Sequence, residues 1–444
     1  MAAARGGGDD VRQAPRDGAD RRLAVVAAIT VVVLALVIGL AAVRSRDRAD
    51  AERTTGPAPT DPRGQSSTGA SGSGGTRSTA APSNEAGGET TTTETTTTEP
   101  EGPTAITLAF AGDLLPHSPV NSQAQRYGAE SGQAYDFAPM LAPMQPVLGG
   151  ADLAICHMEV VVAPPGEQVS SYPSFGAPAE LVDGVASAGY DGCSNASNHS
   201  LDRGRDGIAA TLDRFDQIGL RHAGIARTEE ESAAITTYDV DRVQVAHLSY
   251  AYDFNGYAIP AEAPWAVDQI DPDRIAADAA EARKAGADLV VVSLHWGNEY
   301  DAEPSQYQRD IAAQIVPSPD IDLVIGHHAH VVQPIEQVAG TYVVWGLGNQ
   351  LSNQSQAPRR DGLTVVVTAE RGVERDAERW KISGIEAVPT WVDLANFRVL
   401  PVVAALADPA TSADLRADLS ESYDRTVATA TGPATPGVSV APKP

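Results

Sequence analysis

The stretch LVVVSLHWGNEY, residues 289–300, decides how the chain is read. A valine-rich run from Leu289 to Leu294 has the pattern of a strand buried on both faces. It closes on a metal-capable side chain, His295. The stretch LVIGHHAH, residues 323–330, repeats the arrangement: a short apolar strand from Leu323 to Ile325, then His327, His328 and His330. Working outward, the same construction recurs. Ile106 to Ala111 ends in Gly112-Asp113. Leu153 to Cys156 is followed by His157 and Glu159. A strand ending at Cys193 is followed by Asn198, His199 and Asp202. Ligands in α/β folds gather beyond the carboxyl ends of strands, so these strand ends define one rim. Most of the chain's 9 histidines lie there if His117 is included. Three histidines in four residues after a buried strand point to metal binding, since packing seldom needs them.

Between the strands the pattern predicts helices over 137–148, 178–188 (with Gly189 after its end), 207–218 and 273–285. Further strands are expected at 243–249, 342–345, 363–368 and 382–387. Strand and helix alternate in the first half and strands dominate the second. That predicts an α/β protein with sheet packed on sheet and helices outside. A polar helix over 412–429 and a Pro/Gly tail read as peripheral, making 406–444 an appended helix and disordered tail.

Composition bounds the partners. With 32 Lys+Arg against 58 Asp+Glu the formal net charge is −26, which excludes nucleic acid, because phosphate binding needs a concentrated basic surface. Two cysteines are too few for a disulfide scaffold or a four-cysteine zinc site. Cys156 and Cys193 are expected at the ends of neighbouring strands, which leaves both a disulfide and two buried thiols open.

Leu23 to Val43 is a charge-free run, bounded by Arg21 and Arg22 on one side and Arg44 on the other. A helix of that length crosses a hydrocarbon core of roughly 30 Å. A cleaved signal sequence is the rival reading; its apolar region would be shorter and would close on small residues rather than arginines. Residues 44–103 are Ser, Thr, Gly, Pro and Glu with almost nothing apolar, a composition that stays disordered. The expected order is a cytoplasmic N-terminus (1–22), a transmembrane helix (23–43), a disordered linker (44–103) and a large extracytoplasmic domain (104–405).

Carboxylate, imidazole and amide oxygen form a mixed O/N donor set, suited to one or two divalent ions of Mn, Fe or Zn. Two such ions about 3.5–4 Å apart can bridge a hydroxide and hold a phosphoryl oxygen.

In this order, GD (Gly112-Asp113), the acidic Met158-Glu159, SNHSLDRG (197–204), HWGNEY (295–300), GHHAHVVQP (326–334) and GLGN (346–349) resemble the CapA family. These are capsule and poly-γ-glutamate synthesis proteins related to the calcineurin-like metallophosphoesterases. The resemblance covers about residues 105–400. It implies a four-layer α/β/β/α sandwich of the metallophosphoesterase type. It also implies a role in making or anchoring a cell-surface polymer, with the polymer and polymer-synthase membrane proteins as partners. Asp113 and His330 match ligands of a first metal, Glu159 the bridging acid, and Asn198, His295 and His327 ligands of a second. His199 matches the acid that protonates the leaving group, and His328 is expected to point elsewhere. Several positions depart from the pattern, and the family's usual N-L-E appears as His157-Met158-Glu159. Leu115 stands where metallophosphoesterases carry His, Glu159 replaces Asp, and Gln350 replaces the aromatic after GLGN. Two functions follow: a metal-dependent hydrolase-type enzyme, or a non-catalytic scaffold that holds metal and binds the polymer or a synthase.

Overall fold

Strand alternation sets what each side chain faces. The computed structural model describes residues 102–374, 377–432 and 435–444. The expected N-terminus, the 23–43 span and the linker up to residue 101 lie outside the described residues. No helix among the described residues is long and apolar enough to cross a membrane.

The first sheet is built from Ala105–Leu114 (β1), Leu153–Met158 (β2), Gly192–Ser194 (β3) and Arg221–Ala223 (β4), which run parallel to one another. Thr236–Val240 (β5), Val243–Ala251 (β6), Leu289–His295 (β7), Leu323–His327 (β8), Ile335–Val338 (β9) and Thr341–Val344 (β10) form the second, in the order β5-β6-β7-β8-β10-β9. The chain then returns to the first sheet with Asn349–Leu351 (β11), Asp361–Glu374 (β12), Ala377–Asp393 (β13), Arg398–Pro401 (β14) and Val438–Val440 (β15). Its order is β14-β13-β12-β1-β2-β3-β4, with β11 beside β1 and β15 beside β13. This is a mixed α/β protein on two sheets.

The period of two along each strand divides the core. Leu153 and Ile155 of β2 meet Leu289 and Val291 of β7 in a cluster between the sheets. Ala154, Cys156 and Met158 face the other way, onto Leu181, Val185 and Phe215 of the helices Glu180–Ala188 and Gly204–Ile218. Val290, Val292 and Leu294 likewise face Ile275 and Ile315 of the helices Pro272–Lys284 and Gln306–Ile315.

Most expected elements are present, and the differences have local causes. The helix expected over 137–148 is three short pieces, Ala138–Leu141, Ala142–Met144 and Gln145–Leu148. Pro139, Pro143 and Pro146 remove the backbone donors a continuous helix needs. The strands read at 363–368 and 382–387 are the centres of a long hairpin, β12 and β13. Where the sequence reads a disordered tail, Val438–Val440 pairs in parallel with Ile385–Ala387. The helix Ala413–Ala430 buries Leu419 against Trp391 and Val402.

Cys156 and Cys193 are register partners on β2 and β3. Their Cα atoms stand 4.4 Å apart and they are joined as a disulfide.

Candidate metal centre

The face of each strand that carries leucine and valine between the sheets turns polar at the carboxyl end. Leu153 and Ile155 are followed in alternation by His157 and Glu159, Leu289 and Val291 by Ser293 and His295, and Leu323 and Ile325 by His327. Asp113 enters beside them at a register shift in β1, where it pairs with His157 on one side and Asn349 on the other. The Gly112 before it has no room for a side chain, because a Cβ there would overlap the carbonyl of Gly348. Gly326 is similarly pressed against the carbonyl of Trp345. The GD, GHH and GLGN motifs are thus three backbones in contact.

Asp113, Glu159, Asn198, His199, His295, His327 and His330 are all buried at this one rim. Glu159 is 1 % exposed, and neither carboxylate oxygen has a hydrogen-bond donor. Burial pushes its carboxyl well above the ordinary value; His330 pulls it back only in part, and the Asp113 charge adds to the rise. Asp113 shows the opposite balance. Burial alone would raise it, but His327 and His330 hold it well below the usual carboxylate range. His327 Nδ1 lies 3.2 Å from its Oδ1. His328 donates its backbone N–H to Oδ2 at 3.1 Å, and His330 Nδ1 lies 3.2 Å from the same oxygen.

Two groups of ligand atoms close around Glu159: Asp113, Glu159 and His330, and Glu159, His295 and His328. The first is the set expected for one metal with its bridging acid. The second differs from the sequence reading in one member: His328, expected to point away, lies with Glu159 and His295, while His327 groups with Asp113 and His157. His327 is the last residue of β8, so alternation sends its ring between the sheets, where it stacks on His157 at 3.9 Å and groups with Asp113 and His157. The chain turns immediately afterwards: His328 and His330 have φ of 87° and 56°. That left-handed backbone, unfavourable for a residue with a Cβ, brings both rings onto Glu159. The H-x-H spacing, rather than the first histidine after the glycine, was the available signal.

Several residues of the quoted motifs support the ligands without having been assigned a role from the sequence. His157 Nδ1 lies 2.8 Å from Ser194 Oγ and its Nε2 2.9 Å from His295 Nδ1. His295 Nε2 in turn lies 2.9 Å from Asn198 Oδ1. Burial, and then the neighbouring imidazoles, keep His157 and His295 well below the ordinary histidine value, so both are neutral. Asn349 of the GLGN motif holds His330: its Oδ1 lies 3.0 Å from Nδ1, leaving Nε2 to face Glu159 Oε1 at 3.7 Å. Burial opposes the protonation of His330, but Glu159 and Asp113 outweigh it and raise the ring to about 9. The exposed Glu299, within the quoted HWGNEY, groups with His328 and His330. His117 joins none of the ligand groups; it sits at the edge of the rim, close enough to His330 and His199 to feel their charge, with Nδ1 3.0 Å from the carbonyl of Leu115.

His199 stands apart from the ligand groups. Its Nδ1 is 2.7 Å from Asp202 Oδ2, which also accepts the Phe175 N–H at 2.6 Å. Asn255 bridges it to Asn198.

The donor set fits divalent cations. A buried carboxylate with two bare oxygens is costly unless a positive group meets it. If His295 donates from Nδ1 through His157 to Ser194, its Nε2 presents a lone pair to the Asn198 oxygen. Two acceptors then face each other, and a cation between them is what that polarity suits.

Comparison with known proteins bears on the same residues. Residues 107–354 match the family model described as bacterial capsule synthesis protein PGA_cap. The PGA biosynthesis protein CapA of Bacillus subtilis (strain 168) is 26% identical over 305 residues, 68% of this chain and 77% of that protein. The capsule biosynthesis protein CapA of Bacillus anthracis is 28% identical over 269 residues, covering 59% of this chain and 63% of that one. The chain therefore spans less than two thirds of the latter's length. Among solved structures, the calcineurin-like phosphoesterase YfkN from Bacillus subtilis aligns with a TM-score of 0.40 and 13% identity, over 73% of this chain and 98% of that one.

Proposed function

The chain belongs to the bacterial capsule synthesis protein family, and on that premise we propose that it serves the synthesis of a poly-γ-glutamate-type cell-surface polymer. In this reading it is a membrane-anchored, extracytoplasmic protein whose buried cluster holds one or two divalent ions and works as a hydrolase-type site. The names of its relatives support the polymer, and with it a complex with membrane-bound synthase proteins. The charge-free run at 23–43 and the Cys156–Cys193 disulfide support the placement, since disulfides persist in oxidising compartments.

One observation carries the metal reading: Glu159 is buried with both oxygens bare, and His295, His328, His330 and Asp113 converge on it. Asp113, Glu159 and His330 would hold one ion; Glu159, His295 and His328, with the Asn198 oxygen, would hold the other. An ion held there supplies Lewis acidity and a water acidic enough to ionise near neutral pH. The chain's own part is to fix the ligands and to move a proton. Asp202 fixes His199 through Nδ1, which leaves Nε2 as the atom that gives a proton to a departing group.

Metal analysis of the purified full chain, with and without Glu159→Gln, tests the reading. Bound Mn, Fe or Zn that disappears in the variant is the expected result. A wild-type chain that takes up none of the three on dialysis would end it.

The scaffold reading keeps one observation in its favour. Leu115, where metallophosphoesterases carry a ligand histidine, is a buried core residue that offers no donor. One ion per chain, and polymer production by His199→Ala equal to wild type, would select the scaffold.

A further inference from the structure

Every large apolar side chain exposed among the described residues is a tyrosine: Tyr172, Tyr257, Tyr300 and Tyr307. Tyr300 is tied most directly to the centre. Its backbone N–H donates to the carbonyl of Ala329, between the two turned histidines, at 2.7 Å. Its ring centre lies 5.9 Å from that of His330. Over this exposed ring also sits a guanidinium, with Arg359 Cζ 3.4 Å from the ring centre. Asn349, which holds His330, also donates to the Arg359 carbonyl at 2.9 Å. The metal-facing histidine and the arginine are therefore positioned by one side chain.

Arg203, just before the helix Gly204–Ile218, is occupied by Glu167, Gln168 and Ser170. The Arg359 guanidinium has no carboxylate or carbonyl partner among the described residues. Stacking uses the face of a guanidinium and leaves its in-plane N–H groups available to a planar oxyanion. In a chain of net charge −26, an anion reaching this rim needs such a local cation. A single guanidinium beside the exposed Glu299 suits a singly charged carboxylate better than a phosphate dianion, which the neighbouring carboxylate would repel more strongly.

We infer that Arg359, held flat on Tyr300, is the element that recognises a substrate carboxylate beside the metal centre. The inference rests on the polymer-directed function proposed above and assigns its specificity.

The test uses the metal-loaded full chain, with a γ-linked glutamate oligomer and the same oligomer amidated at its carboxylates as probes, read by calorimetry. Arg359→Gln should weaken binding of the acidic oligomer about tenfold or more. Arg359→Lys should restore part of it, and Tyr300→Leu should weaken it while the arginine remains. The amidated oligomer should bind wild type and Arg359→Gln alike. Metal content is measured on the same samples, so loss of the centre is seen separately. If wild type holds metal and Arg359→Gln binds the acidic oligomer as well as it does, the inference is wrong. The same holds if only inorganic phosphate binds in an Arg359-dependent way, whereas a metal-loaded wild type that does not bind the acidic oligomer overturns the polymer-directed function and the inference falls with it. A wild type without metal would instead overturn the metal-centre reading itself.

Discussion

Reducing the Cys156–Cys193 bond should loosen both the fold and the centre. The bond closes a loop with a sequence separation of 37. The loop-closure entropy withheld from the unfolded chain is then worth about 4 kcal/mol at 25 °C. A folded part of roughly 340 residues unfolds with an entropy near 0.7 kcal/mol per degree, so the loss should lower Tm by about 5 °C. The effect on the centre follows from position. β2 and β3 pair through three register pairs: the half-cystines, the pair before them, and His157 with Ser194. That last pair orients His295. The assay is a thermal melt of oxidised and reduced protein with the thiols counted, repeated under chelator, plus a metal titration of each form. A Tm unchanged by verified reduction would refute the entropic reasoning. A lowered Tm with unchanged metal affinity would show that the bond holds the sheet and not the centre.

Glu159→Gln should abolish metal uptake yet make the metal-free protein more resistant to denaturant at neutral pH. Burial raises the folded carboxyl's pKa, so its ionisation erodes stability as pH rises above 4.5. Equal or lower stability of the metal-free variant at pH 7 would contradict this. His330, raised to about 9, works in the same direction: its contribution is complete below 6.5 and lost as pH climbs through 9. Metal-free protein should therefore melt lower at pH 9.5 than at pH 6.5, while metal affinity strengthens over the same interval because the ligand must lose its proton. His328→Ala should remove an ion. His199→Ala should keep its metal and, if the protein is an enzyme, lose about 10²–10⁴-fold in turnover. Metal analysis beside a turnover assay separates the two variants.

Much of this was legible in the sequence because strand ends are legible. Apolar runs that stop on Asp113, Glu159, His295 and His327 announce a rim from the sequence alone. His157 was equally available: counting by twos from Leu153 through Ile155 places it on the face that carries Glu159. The H-x-H spacing of His328 and His330 was on the page too, but what turns both rings onto Glu159, the end of β8 at His327 and a φ that a histidine seldom adopts, was not. The helix Ser118–Ser131 escaped because its buried side carries Asn121 and Gln123, which blur the apolar period. The helix Gln306–Ile315 did send a signal, the capping box of Ser305 and Gln308, visible as S-x-x-Q.

The turned backbone at His328 and His330 has an evolutionary consequence. Each position holds a side chain in a conformation that glycine adopts without strain, a difference of roughly 1–2 kcal/mol per residue. An ion held by the imidazoles would repay it. A lineage that ceased to need the ions would gain stability by drifting to glycine or asparagine at these two places, and by losing the carboxylate at 159. The identity of these three residues in a relative should therefore act as a record of use, intact where the centre still works and relaxed where the fold has been kept for other purposes.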